Sequence, residues 1–62
     1  MDNIEGTFVY EGYEITARML DDGQVMLTHS KDGKHLVNLV YSYTEAGEKI
    51  DSKILEGWVR YG

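Results

Sequence analysis

Two histidines, His29 and His35, form the one pair of side chains in this 62-residue chain whose types and spacing resemble a metal site. They flank the turn sequence Lys31-Asp32-Gly33, and a three-residue hairpin loop there would set them directly opposite, with Cβ atoms about 5 Å apart. Two imidazoles could bind zinc, copper or nickel, but a closed zinc site needs four ligands. No third ligand is evident and cysteine is absent. We therefore expect no metal and no other cofactor. A further hypothesis is pH sensing, since protonating both would set like charges opposite each other.

Catalytic chemistry finds little support in the chain. A nucleophilic site needs a hydroxyl or thiol, a base and an orienting group on a common face. None of the serines Ser30, Ser42 and Ser52 has a matching histidine there. The adjacent acids Asp21 and Asp22 are explained by turn chemistry. A small sheet with one helix also offers little concave volume for a substrate, so we expect a protein that is not an enzyme.

The elements that position these residues are set by turns. Asp21-Asp22-Gly23 and residues 31–33 stand ten residues apart, between segments that alternate apolar and polar residues as half-buried strands do. Three-residue loops at both, with a two-residue turn at residues 11–12, keep one face of four strands apolar. This register sets Tyr10 opposite Tyr13, Phe8 opposite Ile15, Ile15 opposite His29, Ala17 opposite Leu27, Met19 opposite Val25, Leu27 opposite Val37, and Val25 opposite Leu39.

Each predicted sheet face has its own composition. The core face carries Phe8, Tyr10, Tyr13, Ile15, Ala17, Met19, Val25, Leu27, Val37, Leu39 and Tyr41. The second face is more apolar than full solvation requires, and it carries Thr7, Val9, Glu14, Thr16, Arg18, Leu20, Met26, Thr28, Leu36, Asn38, Val40 and Ser42.

A helix is predicted after the fourth strand, over residues 45–56. Ser42 with Glu45 matches a capping box, and Thr44 is an alternative N-cap. Apolar residues then recur at helical spacing, and Gly57 suits the left-handed position that ends a helix.

The predicted fold is a single α+β domain over residues 1–62: a four-stranded antiparallel β-meander with one C-terminal helix on its apolar face. The alternative is a small all-β five-stranded barrel in which residues 54–61 form the fifth strand. A domain of this size buries only about 60% of the surface that its unfolded chain exposes, so its core is thin. Such chains often depend on a partner subunit for stability.

The charge of the chain is uneven and acidic. Its formal net charge is −5, and the first 22 residues hold six acids and one base, while residues 23–62 hold five of each. Negative charge repels phosphate backbones, which argues against ordinary nucleic-acid binding. No apolar run approaches the roughly 20 residues of a membrane span and no signal-peptide pattern is present, so we expect a cytoplasmic protein without membrane contact.

The function that these patterns favour is a small acidic protein-interaction module, which binds another protein or a second copy of itself through the second face and the acidic N-terminal hairpin. The candidate partner-binding residues are Val9, Glu11, Glu14, Arg18, Leu20, Asp21, Asp22, Met26, Leu36 and Val40.

Two alternatives use other residues. The first is an inhibitor of the phage type that mimics nucleic acid with carboxylates, namely Glu5, Glu11, Glu14, Asp21 and Asp22. The second is a single-stranded nucleic-acid binder that stacks bases on Phe8, Tyr10 and Tyr13.

Overall fold

The computed structural model describes residues 4–62, which form a five-stranded antiparallel sheet and one helix. In chain order the elements are β1 Gly6–Tyr10, β2 Tyr13–Met19, β3 Gln24–Lys31, β4 Lys34–Ser42, α1 Tyr43–Glu56 and β5 Val59–Arg60. The strands lie in the order β4-β3-β2-β1-β5. The predicted α+β meander with a C-terminal helix is therefore confirmed, and β5 is a short addition to it.

The first hairpin has the predicted register. Glu11 and Gly12 both have positive φ, 48° and 87°, as a two-residue turn of type I′ requires. Tyr10 is paired with Tyr13, and the core pair Phe8 and Ile15 follows two residues further along. This turn lies against the β3–β4 turn, because the Asp32 N–H donates to the Gly12 carbonyl over 2.8 Å.

The second turn is also as predicted, with the three-residue loop Asp21-Asp22-Gly23. Gly23 has a φ of 83°, and the Leu20 N–H donates to the Gln24 carbonyl over 2.8 Å. The Asp22 carboxylate accepts the Gln24 N–H over 3.2 Å, which fixes the loop from within. The register sets Ala17 opposite Leu27 and Met19 opposite Val25.

The predicted register of the third hairpin is wrong. Asp32 and Gly33 have φ of 50° and 84° and form a two-residue turn, so that Lys31 is paired with Lys34. The register then shifts between His29 and Ser30, and Leu36 is the extra residue of a β-bulge. The resulting pairs are Ser30 with His35, His29 with Val37, Leu27 with Leu39, and Val25 with Tyr41.

Helix α1 begins two residues earlier than predicted and ends where predicted. The Ser42 hydroxyl accepts the Glu45 N–H over 3.2 Å, so Ser42 is the N-cap. At the other end Gly57 has a φ of 115°, and the N–H groups of Gly57 and Trp58 donate to the carbonyls of Ile54 and Lys53. This is the bond pattern of a Schellman motif. Of the alternative strand over residues 54–61, only Val59–Arg60 forms a strand.

The core lies between α1 and one face of the sheet. Its buried side chains are Phe8, Ile15, Ala17, Val25 and Leu27 from the sheet and Ala46 and Ile50 from the helix. Four residues predicted for this core, Tyr13, Met19, Val37 and Leu39, lie on the same face but are between 36% and 45% exposed. One helix therefore covers the middle of the sheet and not its whole face.

The path of α1 explains that partial cover. The helix joins β4 to β5, which are the two edges of the sheet. Fourteen residues span about 21 Å, close to the roughly 19 Å between the outer strands of a five-stranded sheet. The helix starts at the Ser42 end of β4 and ends beside Tyr10 at the opposite end of β1. It thus crosses the sheet diagonally and leaves the corner at the β3–β4 turn uncovered.

Strand β5 completes the sheet on the outer side of β1. Val59 is paired with Val9, and Arg60 with Phe8. The Tyr61 N–H adds a bond to the Thr7 carbonyl over 2.6 Å. Within residues 4–62 the sheet is open, with β4 and β5 as its edges, so the alternative of a closed five-stranded barrel is wrong.

Candidate interaction surface

Four exposed apolar side chains lie within five consecutive residues of the edge strand β4. Leu36, Val37, Leu39 and Val40 are 55%, 41%, 38% and 49% exposed. Val37 and Leu39 lie on the helix side of the sheet, whereas Val40 lies on the second face, because side chains alternate along a strand. We call this strand, with its outer backbone edge and these four side chains, the β4 edge. Apolar edges of this kind favour pairing with another strand.

Leu36 does not lie where the sequence pattern placed it. It was predicted on the second face, but the bulge turns it toward the helix side, where it lines a cavity with Tyr13, Val37 and Trp58. The cavity has a volume of 390 Å³ and occupies the uncovered corner of the sheet. Leu36, Val37 and Leu39 therefore form one continuous apolar strip beside α1.

A second cavity, of 490 Å³, lies between α1 and the sheet. His29 lines it, and within the described residues its buried Nε2 has no hydrogen-bond partner. Burial, and to a smaller extent the positive charge of Lys53 on the helix, lowers the pKa of His29 below its ordinary value. The neutral imidazole is thus the form that the fold favours.

The two histidines are not a facing pair. His29 is opposite Val37 and points toward the helix, whereas His35 is opposite Ser30 on the second face. His35 Nε2 lies 2.9 Å from the amide oxygen of Asn38 instead. The predicted geometry for shared metal binding and for like-charge repulsion is therefore wrong. Residues 4–62 contain no group of three or more His, Cys, Asp or Glu side chains that could hold a metal ion.

Three of the predicted partner-binding residues lie in one row on the second face. Arg18, Met26 and Val40 are register partners across β2, β3 and β4. Val9 and Glu14 are paired with each other on the same face, two rows of side chains away from this row. The row ends at the β4 edge, so the second face and that edge form a continuous surface.

The acidic residues of the first third do not form one patch. Glu11 lies in the β1–β2 turn, whereas Asp21 and Asp22 lie in the β2–β3 turn at the other end of a seven-residue strand, about 20 Å away. The Glu5 carboxylate accepts the Met19 N–H over 3.0 Å. Leu20, the last predicted site residue, is half-buried beside the β2–β3 turn. The remaining acid of this third, Asp2, lies outside the described residues.

The aromatic side chains proposed for base stacking are buried or contact other side chains within the fold. Phe8 is 1% exposed. Tyr10 stacks on Trp58 with ring centroids 5.6 Å apart, and the Lys31 ammonium lies 4.0 Å from the ring centroid of Tyr13. Tyr13 is the most exposed of the three proposed rings.

Comparison with known proteins found no relative of this chain. No protein-family model, no curated protein and no solved structure matches the chain. In residues 4–62 no helix has the length and apolar character needed to cross a membrane.

The residues that the sequence interpretation missed are Val37 and Leu39, which it placed in the core. Their alternation with Asn38 fits a buried strand equally well. No signal within β4 distinguishes the two cases, because the burial of Val37 and Leu39 depends on the path of α1 across the sheet.

Proposed function

We propose that this chain is a non-enzymatic protein-interaction module, and that its binding surface is the β4 edge together with the adjoining row of Arg18, Met26 and Val40. The partner is another protein or a second copy of the chain. The observation that carries the proposal is the run of four exposed apolar side chains on an open nine-residue edge strand.

The energetic argument concerns both side chains and backbone. Exposed apolar area contributes about 25 cal/mol per Å² when it leaves water. An added strand would also take up the backbone N–H and C=O groups along the outer side of β4. Small domains bury little of their own surface, so a bound partner adds a meaningful share to their stability.

A matched pair of valines tests the proposal. Val40 on β4 and Val59 on β5 both lie on the second face, at opposite edges, and are 49% and 62% exposed. Val40→Lys places a charge within the proposed surface, and Val59→Lys places the same charge outside it. Wild type and both variants are compared for self-association by light scattering and for capture of other proteins by the immobilised chain.

The expected result is that Val40→Lys loses association and Val59→Lys keeps it, with circular dichroism spectra unchanged in both. Equal association of the two variants would contradict the proposal, and so would a wild-type chain that neither self-associates nor captures another protein.

A further inference from the structure

We infer that the occupant of the β4 edge is a second copy of this chain, paired antiparallel through β4 about a twofold axis at Leu39. The result is a continuous ten-stranded sheet. The inference rests on the proposed function and specifies its partner.

The lengths of the two edges favour a closed dimer. Strand β4 has nine residues and β5 has two. Head-to-tail association would have to pair β4 of one copy with β5 of the next and could use only those two residues. Pairing β4 with another β4 uses the long edge of both copies at once and leaves no long edge open, which is the closed arrangement of a twofold dimer.

The bulge sets the register of the pairing. Because the backbone is irregular at Leu36, the regular part of β4 begins at Val37. An antiparallel pair over residues 37–41 has Leu39 at its centre and matches side chains well. Leu39 meets its own copy and Val37 meets Tyr41 on the helix side, while Asn38 meets Val40 on the second face.

Charge distinguishes the antiparallel from the parallel arrangement. Lys34 and His35 begin β4, and the first turn of α1, with Glu45, follows its end. Antiparallel pairing carries Lys34 of one copy past Ser42 of the other toward Glu45. Parallel pairing would set the two Lys34 ammonium groups side by side, which is unfavourable.

The size of the contact sets the concentration range for the experiment. A standard stable interface buries roughly 800 Å² per partner, and the whole described surface here measures 4331 Å². A five-residue strand pair is smaller than that standard, so we expect a dimer that dissociates at micromolar concentrations. Light scattering and sedimentation should therefore cover concentrations from micromolar to millimolar.

Single cysteines locate the axis, because the natural chain has none. In Leu39→Cys the two thiols of a dimer would face each other with Cα atoms about 4.5–5.5 Å apart, within reach of a disulfide. Arg18→Cys reports a dimer formed through the middle of the second face, and Val59→Cys reports one formed through β5. Each variant is oxidised at millimolar concentration, and the covalent dimer is measured on a denaturing gel.

The expected result is a wild-type dimer, a high yield of covalent dimer for Leu39→Cys and a low yield for the other two variants. Val40→Lys should dissociate the dimer and Val59→Lys should not, and this comparison does not depend on the fold tolerating a cysteine at position 39.

Two results would overturn the inference and leave the proposed function standing. One is a dimer that crosslinks through position 18 or 59. The other is a chain that stays monomeric up to millimolar concentration, yet captures another protein in a manner that Val40→Lys abolishes and Val59→Lys does not. Equal behaviour of the two lysine variants in every assay would overturn both.

Discussion

Replacing His29 with leucine should stabilise the fold. The imidazole lines the cavity between α1 and β3, and within the described residues its buried Nε2 has no hydrogen-bond partner. A buried polar atom without a partner costs about 1–3 kcal/mol. The residue as a whole is only half-buried, so we take the lower end, about 1 kcal/mol. Leucine has a similar size and suits the neighbouring Ile15 and Val37.

The same substitution should flatten the dependence of stability on pH. The charged side chains that line the two cavities beside His29 are Glu14 from β2 and Glu45, Glu48, Lys49, Lys53 and Glu56 from α1. Burial first, and Lys53 second, lowers the pKa of His29 in the folded state below about 6.5, the value in the unfolded chain. Between these two pKa values the unfolded state binds a proton that the folded state does not. The free energy of unfolding is therefore unaffected by protonation of His29 above the unfolded pKa, and it decreases as the pH falls toward the folded pKa.

Thermal and urea unfolding from about pH 7.5 to about pH 5.5 measures both effects. In a domain of this size 1 kcal/mol raises the melting temperature by about 4–8 °C. His35→Leu is the matched control, because His35 is exposed and contacts Asn38 instead of the cavity. The reasoning is refuted if His29→Leu is no more stable than wild type, or if it loses as much stability on acidification as wild type and His35→Leu do.

Two further predictions concern the turns and caps, and urea unfolding tests both. Ser42→Ala removes the N-cap of α1 and should cost about 1 kcal/mol; Thr44→Ala, at the alternative cap predicted from sequence, should cost much less, and equal losses would reject the assigned cap. Gly12→Ala should destabilise the fold more than Gly33→Ala. The two glycines have nearly equal φ, 87° and 84°, so the backbone strain of an alanine is similar at both. A Cβ at Gly12 would lie 2.5 Å from a carboxylate oxygen of the facing turn, whereas a Cβ at Gly33 would meet open space. Equal losses of unfolding free energy at the two glycines would show that the positive φ alone determines the destabilisation, and would contradict the steric argument.

Most of the fold could be predicted from residues that are close together in sequence. The first two hairpins followed from turn residues and alternation, and the helix ends followed from Ser42 and Gly57. These features depend on residues close together in sequence, whose conformational preferences are strong.

The third hairpin shows where alternation stops being informative. A two-residue turn followed by a one-residue bulge shifts the pairing beyond the bulge by two residues relative to the predicted register. A shift of two keeps residues 37–42 on their predicted faces, whereas His35 and Leu36 change face. The hydrophobic pattern therefore fits both registers equally. The error matters for the predicted metal site, because His29 is opposite Val37 in the structure and not opposite His35 as predicted.

The exposure of β4 could not be predicted from its own residues. Val37 and Leu39 alternate as core residues do, and whether they are buried depends on the path of a helix that begins after them in the chain. Burial here is a property of the diagonal crossing between the two sheet edges and not of the strand itself. The candidate surface therefore emerged from the packing of α1, while the row of Arg18, Met26 and Val40 was correctly expected on one face.

The uneven placement of charge along the chain also affects the proposed dimer. The excess of acids lies in the first 22 residues, which include β1 and β2, and β3 separates these strands from β4. Pairing through β4 keeps the acid-rich strands of the two copies on opposite sides of the ten-stranded sheet. Repulsion between the copies should then be weak and largely screened by salt, since screening acts within about 10 Å at moderate ionic strength.

The dependence of dimer dissociation on salt follows from that placement. Burial of Val37, Leu39 and Val40 in the proposed dimer would depend little on salt. A contact of Lys34 with Glu45 of the second copy would be exposed and would contribute little. Sedimentation at low and high salt should therefore give similar dissociation constants. A dimer that dissociates steeply as salt is added would instead indicate that charged side chains hold the copies together, and it would contradict the assignment of the contact to the apolar β4 edge.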